Sequence, residues 1–306
     1  MLDNSSEWVA IAGATGNAGK EVVRSASASG LRVRALVRNK DRLGDVLHLC
    51  EDVRIVQVTQ PETLKGCLKG VRFVVSCLGK TFQNDSTPRH DVDVGANINL
   101  MNEAKQTEGI ERFCLLSVFM ASVEHPVSMI RMKGEAEKAL HDSGLSYTII
   151  QPSGFFSDMW EIFEMARSGT YWSVGDGTYK FNPISLVDLG DFLVSKLLNA
   201  ESINQTYPVG GPDVFPAKEV AAIASRVLNK EVKIHCLPLW LCKGLVGMVA
   251  PFSRNYYELG NFFVGNADYI AKNCDNDGSV PCYGVHHLED YIRERYTREQ
   301  AENAQK

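Results

Sequence analysis

The chain has 306 residues, 44% of them apolar and 23% charged, a balance that suits a globular protein with room for one large domain and an appended lobe. A net charge of −5 excludes a general nucleic-acid binder, whose footprint is a basic excess, and so no nucleic-acid partner is expected. The eight cysteines form no C-x-x-C pair and no zinc-spaced cluster with histidine, so no metal is expected and free thiols in a reducing, cytoplasmic compartment are.

The opening MLDNSSEW is polar and acidic, unlike a signal or transit peptide. From Trp8 onward strand-like runs alternate with helical patterns. The runs are WVAIA (8–12), RVRALV (32–37), VRIVQV (53–58), RFVVSCL (72–78), RFCLLSV (112–118) and SYTIIQP (146–152). Helical periodicity falls between them, including 18–29, 94–108 and 130–143. Runs of Val, Ile and Leu without polar alternation suit strands covered on both faces of a parallel sheet. The alternation predicts an α/β fold, a Rossmann-type doubly wound parallel sheet.

Beyond Pro152 the rhythm changes. GFFSDMWEIFEMARSG reads as a helix, GDGTYKFNP as a turn-rich connection, and SLVDLGDFLVSKLLN as a helix with Ser185 at its N-cap and Asp188 at N3. A short strand over 206–209 and a helix over 217–228 follow. No second glycine fingerprint occurs. The expected division is a nucleotide-binding domain over 1–152 and a smaller C-terminal substrate lobe over 153–306 that contributes in part to the sheet. The apolar stretch LPLWLCKGLVGMVAPF (237–252) is interrupted by Lys243 and two prolines, and it is shorter than the roughly 20 residues a membrane span requires. No integral membrane segment is therefore expected. The stretch reads as an amphipathic helix covering a pocket or a subunit contact, which leaves a homodimer and peripheral membrane attachment open.

The first strand runs into VAIAGATGNAGKEVV, with Gly13, Gly16 and Gly19 spaced by threes where a helix begins. In a strand–turn–helix frame such a loop holds a pyrophosphate on backbone amides at the positive end of the helix dipole. The expected contacts run from Gly13 through Thr15, Gly16, Asn17, Ala18 and Gly19. The second strand ends ALVRNKDR, with Arg38 at its tip, Lys40 and Arg42 following, and no acid at the tip. An acid there would take a ribose 2′-OH, whereas an arginine accommodates a 2′-phosphate, so the expected cofactor is NADP(H).

GATGNAGKEVV, ALVRNKDR, DVGANINLMNEAK, FCLLSV, MKGEAEKAL, YTIIQPSGFFSDM and KFNPISLVDLGDF, in this order, resemble the atypical short-chain dehydrogenase/reductases. The branch resembled holds the NmrA-like, isoflavone-reductase-like and divinyl-chlorophyllide-reductase-like proteins. The resemblance covers residues 8 to about 195 and is specific for the superfamily rather than for one activity.

It implies roles for particular residues. Ser117 matches the family serine after the fifth strand, and Lys133 matches the lysine of Tyr-x-x-x-Lys, but Met129 stands in the tyrosine position. A thioether cannot donate a proton. Either Lys133 acts alone, or Tyr147, His125, Tyr171 or Tyr179 substitutes as the acid, or no chemistry occurs. His125, before a proline, reads as a surface or capping residue. The SCLGK loop offers Ser76, Leu78 and Lys80 to the diphosphate and ribose, and Gln57 stands where relatives carry an acid for the adenine amine. QPSGFF brings Pro152, Ser153 and Phe155 toward the nicotinamide. Met129, Phe156 and Trp160 are expected at the substrate, although aromatics of this kind also build cores.

The leading expectation is an NADP(H)-dependent oxidoreductase passing hydride to a C=O or an activated C=C of a small, fairly apolar or aromatic substrate. Lys133 and Ser117 would be its catalytic residues. An NmrA-like redox sensor without turnover is the alternative, and a sugar-nucleotide epimerase or dehydratase a more distant one.

Overall fold

A computed structural model describes residues 7–80, 87–275 and 277–304. The opening MLDNSS lies outside the described residues. The elements in chain order begin with β1 (Trp8–Ala12), α1 (Asn17–Ala28), β2 (Arg32–Val37), β3 (Cys50–Ile55), β4 (Phe73–Ser76), α2 (Ala96–Gln106), β5 (Arg112–Leu116), α3 (Ser128–His141) and β6 (Tyr147–Pro152). They continue with α4 (Phe156–Ala166), β7 (Thr170–Val174), β8 (Lys180–Phe181), α5 (Leu186–Leu198), β9 (Gln205–Val209), β10 (Phe215–Pro216), α6 (Glu219–Leu228), β11 (Lys233–Leu237), α7 (Leu239–Val249), α8 (Arg254–Asn273) and α9 (Leu288–Ala304).

The expected doubly wound sheet is present. Seven strands run in the order β3-β2-β1-β4-β5-β6-β9, and the pairs from β3 through β6 are parallel. β1 lies mid-sheet with Val9, Ile11 and their neighbours fully buried, as an apolar run without alternation requires. The strand order reverses between β1 and β4, and at such a switch point the loops after the two strands part to leave a crevice at the carboxyl edge.

The chain divides into two compact units: residues 1–125, 130–151 and 186–208, and residues 126–129, 152–185 and 209–306. In the first, α1 and α5 meet closely at Gly190, where a Cβ would lie 2.9 Å from the Glu21 carbonyl oxygen. Ser25 Oγ donates to Asp191 across the same contact at 2.7 Å. The buried Arg112 guanidinium donates to the carbonyls of Lys196, Leu197 and Asn199 at the end of α5, supplying positive charge where a helix leaves its carbonyls unpaired.

The second unit centres on α4, α6 and α9, whose apolar faces enclose Phe163, Val220, Ala224, Leu288 and Ile292. A parallel pair, β7 with β11, and a short antiparallel pair, β8 with β10, complete it together with α7 and α8. Among the described residues no helix is long and apolar enough to cross a membrane.

Candidate functional site

The glycine loop occupies the crevice that the strand order creates. Gly13 follows β1 at φ +80°, and a Cβ there would stand 2.7 Å from the Cys77 carbonyl oxygen, so the loops after β1 and β4 touch main chain to main chain. At Gly19 a Cβ would lie 2.1 Å from the Gly13 carbonyl oxygen, a distance no side chain permits. Gly16 differs. It is the N-cap of α1 with ordinary extended dihedrals, and a Cβ there would meet only the Gly13 oxygen at 3.4 Å. Nothing within the protein demands a glycine at that position. No side chain caps α1, so its first amides, from Asn17, Ala18 and Gly19, keep their positive end toward the crevice.

A cleft of about 760 Å³, counting space open to solvent, lies over this loop. Gly13, Thr15 and Gly16 form its floor, Arg38 and Arg42 one side, and Gln57, Leu78 and Gly79 further walls. No carboxylate lines it among the described residues. β2 ends at Val37, which delivers Arg38 to the crevice, and the Asn39 side chain then accepts from the Asp41 amide and starts the turn that brings back Arg42. The Gln57 backbone is pinned by the Thr63 hydroxyl, which accepts from its amide at 3.0 Å and donates to its carbonyl at 2.9 Å.

Lys133 lies against two residues of the cleft wall, Leu78 and Gly79. Its Nζ donates to the Leu78 carbonyl at 2.7 Å, stands 3.6 Å from Asp93 Oδ1, and would be 3.0 Å from a Cβ on Gly79. Asp93 is buried on a π-helical turn over Asp91–Gly95 that precedes α2, and its second oxygen accepts from the Lys80 amide at 3.3 Å. Gly134 sets the depth of α3. A Cβ there would overlap the Ser122 backbone at 2.3 Å, so the helix lies against the loop after β5.

One turn beyond Lys133, Glu137 is buried and accepts from Gln151 Nε2 at 2.9 and 3.0 Å. Burial pushes its pKa up, against the neighbouring Ser117 hydroxyl, the Gln151 amide and the Lys133 charge, all of which pull it down. Ser117 Oγ is buried beside this carboxyl and faces it. The sequence signal for Glu137 is an acid four residues after a lysine, a spacing that solvated helix faces also carry.

The remaining expected residues fall in different places. Ser76 is fully buried and its hydroxyl is held by Asn97 Oδ1 at 2.5 Å. Lys80 Nζ donates to the Thr87 carbonyl at 2.6 Å. Ser153 donates its hydroxyl to the Asn182 carbonyl at 2.6 Å and its amide to Val209, beside the buried Pro152. Phe155 bridges to Ile184 and caps α4, its amide donating to Asp158 at 3.4 Å. Phe156 and Trp160 are 2% and 5% exposed within the apolar core of the second unit. Trp160 packs there on Phe163 at 5.0 Å and beneath the Arg295 guanidinium at 4.3 Å.

Met129 is half-buried on α3, one turn before Lys133. Of the four substitute acids, Tyr147 begins β6 with its ring tilted against His141 at 4.9 Å, at the opposite edge of the sheet from the glycine loop. His125 is fully buried rather than at the surface, its carbonyl accepting from Arg131 at 2.9 Å. Burial raises the phenol pKa of both Tyr171 and Tyr179. No cluster of described residues has the makings of a metal site.

Residues 13–200 match the family of NAD(P)H-binding domains. An NAD(P)H azoreductase of Xenophilus azovorans is 29% identical over 87% of this chain and 90% of its own. A chloroplastic divinyl chlorophyllide a 8-vinyl-reductase of Cucumis sativus is 27% identical over 93% and 75%. Photosystem II assembly factor Ycf39 of Cyanophora paradoxa is 26% identical over 76% and 72%. Among solved structures, NADPH-dependent quinone oxidoreductase QOR2 of Escherichia coli superposes with a TM-score of 0.72 at 18% identity, covering 94% of this chain and 99% of its own. The leucoanthocyanidin reductase of Vitis vinifera does so at 0.74 and 17%, covering 94% and 98%. These last two share the fold. With a glycine loop that closes on its own backbone, an uncapped helix start and a cleft whose described lining bears arginines and no carboxylate, the chain belongs to the NAD(P)H-binding family.

Proposed function

We propose that the protein is an NADP(H)-dependent reductase that passes hydride to a C=O or an activated C=C of a small apolar or aromatic molecule. The observation that carries this reading is the Lys133 ammonium against Leu78 and Gly79, two residues of a cleft that the glycine loop and two arginines also line. The relatives named as azo and vinyl reductases support the same reaction class.

NADPH bound there supplies hydride at its nicotinamide ring. The chain's own residues bind and orient. The amides of Gly16, Asn17 and Ala18 with the α1 dipole would hold the diphosphate. Arg38 and Arg42 would hold a 2′-phosphate, a group that the lack of a carboxylate among the described lining residues favours over a bare ribose hydroxyl. Lys133, anchored by Leu78 and Asp93, would hold the ribose and stabilise negative charge that develops on the acceptor. Ser117, buried beside the Glu137 carboxyl, would turn its hydroxyl to a reacting oxygen when substrate is bound. Met129 supplies no proton, and this reading assigns that role to Lys133, directly or through solvent.

A second reading, a sensor that binds NADP(H) without turnover, is favoured by Met129 alone. The two separate on one experiment. Purified protein is mixed with NADPH and a panel of quinones, azo dyes and conjugated vinyl compounds, and the nicotinamide absorbance is followed. Acceptor-dependent oxidation supports the reductase. Tight NADPH binding without oxidation by any acceptor supports the sensor.

A further inference from the structure

The second unit carries an apolar surface that the cofactor site does not use. Helix α7 packs one face on α8, where Gly260 allows the approach: a Cβ there would stand 2.9 Å from Val246. Cys242 is buried on this inner face. The outer face is open. Trp240 is 73% exposed and Met248 62%, with Leu245 a turn before Met248, and Phe252 just past the helix end is 87% exposed. Tyr256, at the start of α8, is 68% exposed beside them. A patch with large aromatic and aliphatic side chains this far into solvent marks a surface with an occupant.

Charge indicates which occupant. Residues 232–257 contain no aspartate or glutamate, and their charged side chains are Lys233, Lys243 and Arg254, in a chain whose net charge is −5. Lys243 shares Asp268 with Lys272, at 2.7 and 2.9 Å, so this cluster holds two cations for one carboxylate. Arg254 is paired with Glu258 at 3.0 Å, so the hairpin over 239–273 carries three cations against two carboxylates, Glu258 and Asp268. An apolar helix face with Trp, Phe and Tyr and this cationic excess suits the headgroup boundary of an anionic bilayer, where rings seat at the interface and lysines reach phosphates. At eleven residues α7 is too short to span, which leaves it lying in the interface plane. We propose that the α7–α8 hairpin docks the protein peripherally on anionic lipid surfaces, with Trp240, Met248 and Phe252 inserted.

The test uses the full chain and two kinds of vesicle, phosphatidylcholine alone and equal parts phosphatidylcholine and phosphatidylglycerol. The wild type is expected to co-float with the anionic vesicles and far less with the neutral ones, with Trp240 emission shifted to shorter wavelength on binding. The double variant W240E/F252E is expected to bind about a hundredfold more weakly. Both positions are solvent-exposed, so its circular dichroism and Tm should match the wild type. The proposal is overturned if the wild type ignores anionic vesicles, or if the double variant binds them equally. It is also overturned if sedimentation shows a wild-type dimer that the variant dissolves while vesicles capture neither, because a second copy would then cover the patch.

Discussion

Gly16 and Gly19 lie three residues apart in one loop, yet the structure gives them different reasons for lacking a side chain. At Gly19 a Cβ would overlap the Gly13 carbonyl oxygen at 2.1 Å, where ordinary contact begins at 3.4 Å. Both partners are backbone, so neither can rotate away, and relief requires α1 to shift by about 1 Å or more, with strain of the overpacking kind. The Gly16 amide, which donates to the same Gly13 oxygen at 3.0 Å, loses its geometry in that shift. The Gly19→Ala variant should therefore lose about 2–4 kcal/mol and melt roughly 5–10 °C lower. At Gly16 the same methyl group meets only ordinary contact and ordinary dihedrals. The Gly16→Ala variant should keep its stability within about 0.5 kcal/mol. It should still weaken NADPH by about ten- to a hundredfold, because the methyl group stands between the helix amides and a charged phosphate whose hydrogen bonds are worth about 1.5–3 kcal/mol. Thermal melts and calorimetric titration of NADPH check both. A Gly16→Ala protein that binds NADPH like the wild type would refute the idea that the ligand, rather than the fold, forbids a side chain there.

Three further outcomes follow from the geometry. Replacing both Arg38 and Arg42 by alanine should weaken NADPH by about tenfold or more while leaving NADH binding within about twofold, measured by titrating each cofactor. Lys133→Met should lower kcat by about a hundredfold or more, and because it leaves the buried Asp93 carboxylate without the ammonium 3.6 Å away it should also lower Tm, so kcat is measured well below the variant's melting range. Asp158, in the cap of α4, has its pKa pushed up to about 6 by burial, against an ordinary value of 3.8. The folded state thus binds the proton more tightly than the unfolded one, and stability falls as pH rises from about 4 to about 6. Asp158→Asn keeps an acceptor for the Phe155 amide and removes that loss, so at pH 8 it should gain up to about 3 kcal/mol over the wild type. At pH 3 the two should melt together.

The strand–helix alternation and the glycine loop were legible because both are local. β1 is buried on two faces and reads as an unbroken apolar run, and Gly13 and Gly19 are dictated by contacts within one turn and the adjoining strand. β7 and β11 were not legible. They pair residues about sixty apart, Thr170 with Lys233 onward, and neither strand is continuously buried. Such strands have no two-faced core to write a pattern. Phe156 and Trp160 show the same limit at the level of side chains. An aromatic stripe specifies apolar surroundings, and only the packing of α4 against α6 and α9 makes those surroundings a core. Arg38 was visible as a terminal residue of a strand, whereas the return of Arg42 to the cleft depends on the turn begun by Asn39. Asp93, which stands beside Lys133, comes from a turn forty residues earlier in the chain, so no spacing rule links the two.

The central claim is that the cleft holds NADP(H) so that hydride leaves it for an organic acceptor. The direct measurement is isotopic. Protein is incubated with each C4-deuterated stereoisomer of NADPH and a small-molecule extract, and mass spectrometry searches for a metabolite that gains deuterium, with Lys133→Met as the control. The account predicts transfer from one stereoisomer, into one class of apolar or aromatic molecule, that is lost in the control. Saturating NADPH binding with no deuterium in any molecule, from either stereoisomer, would contradict it.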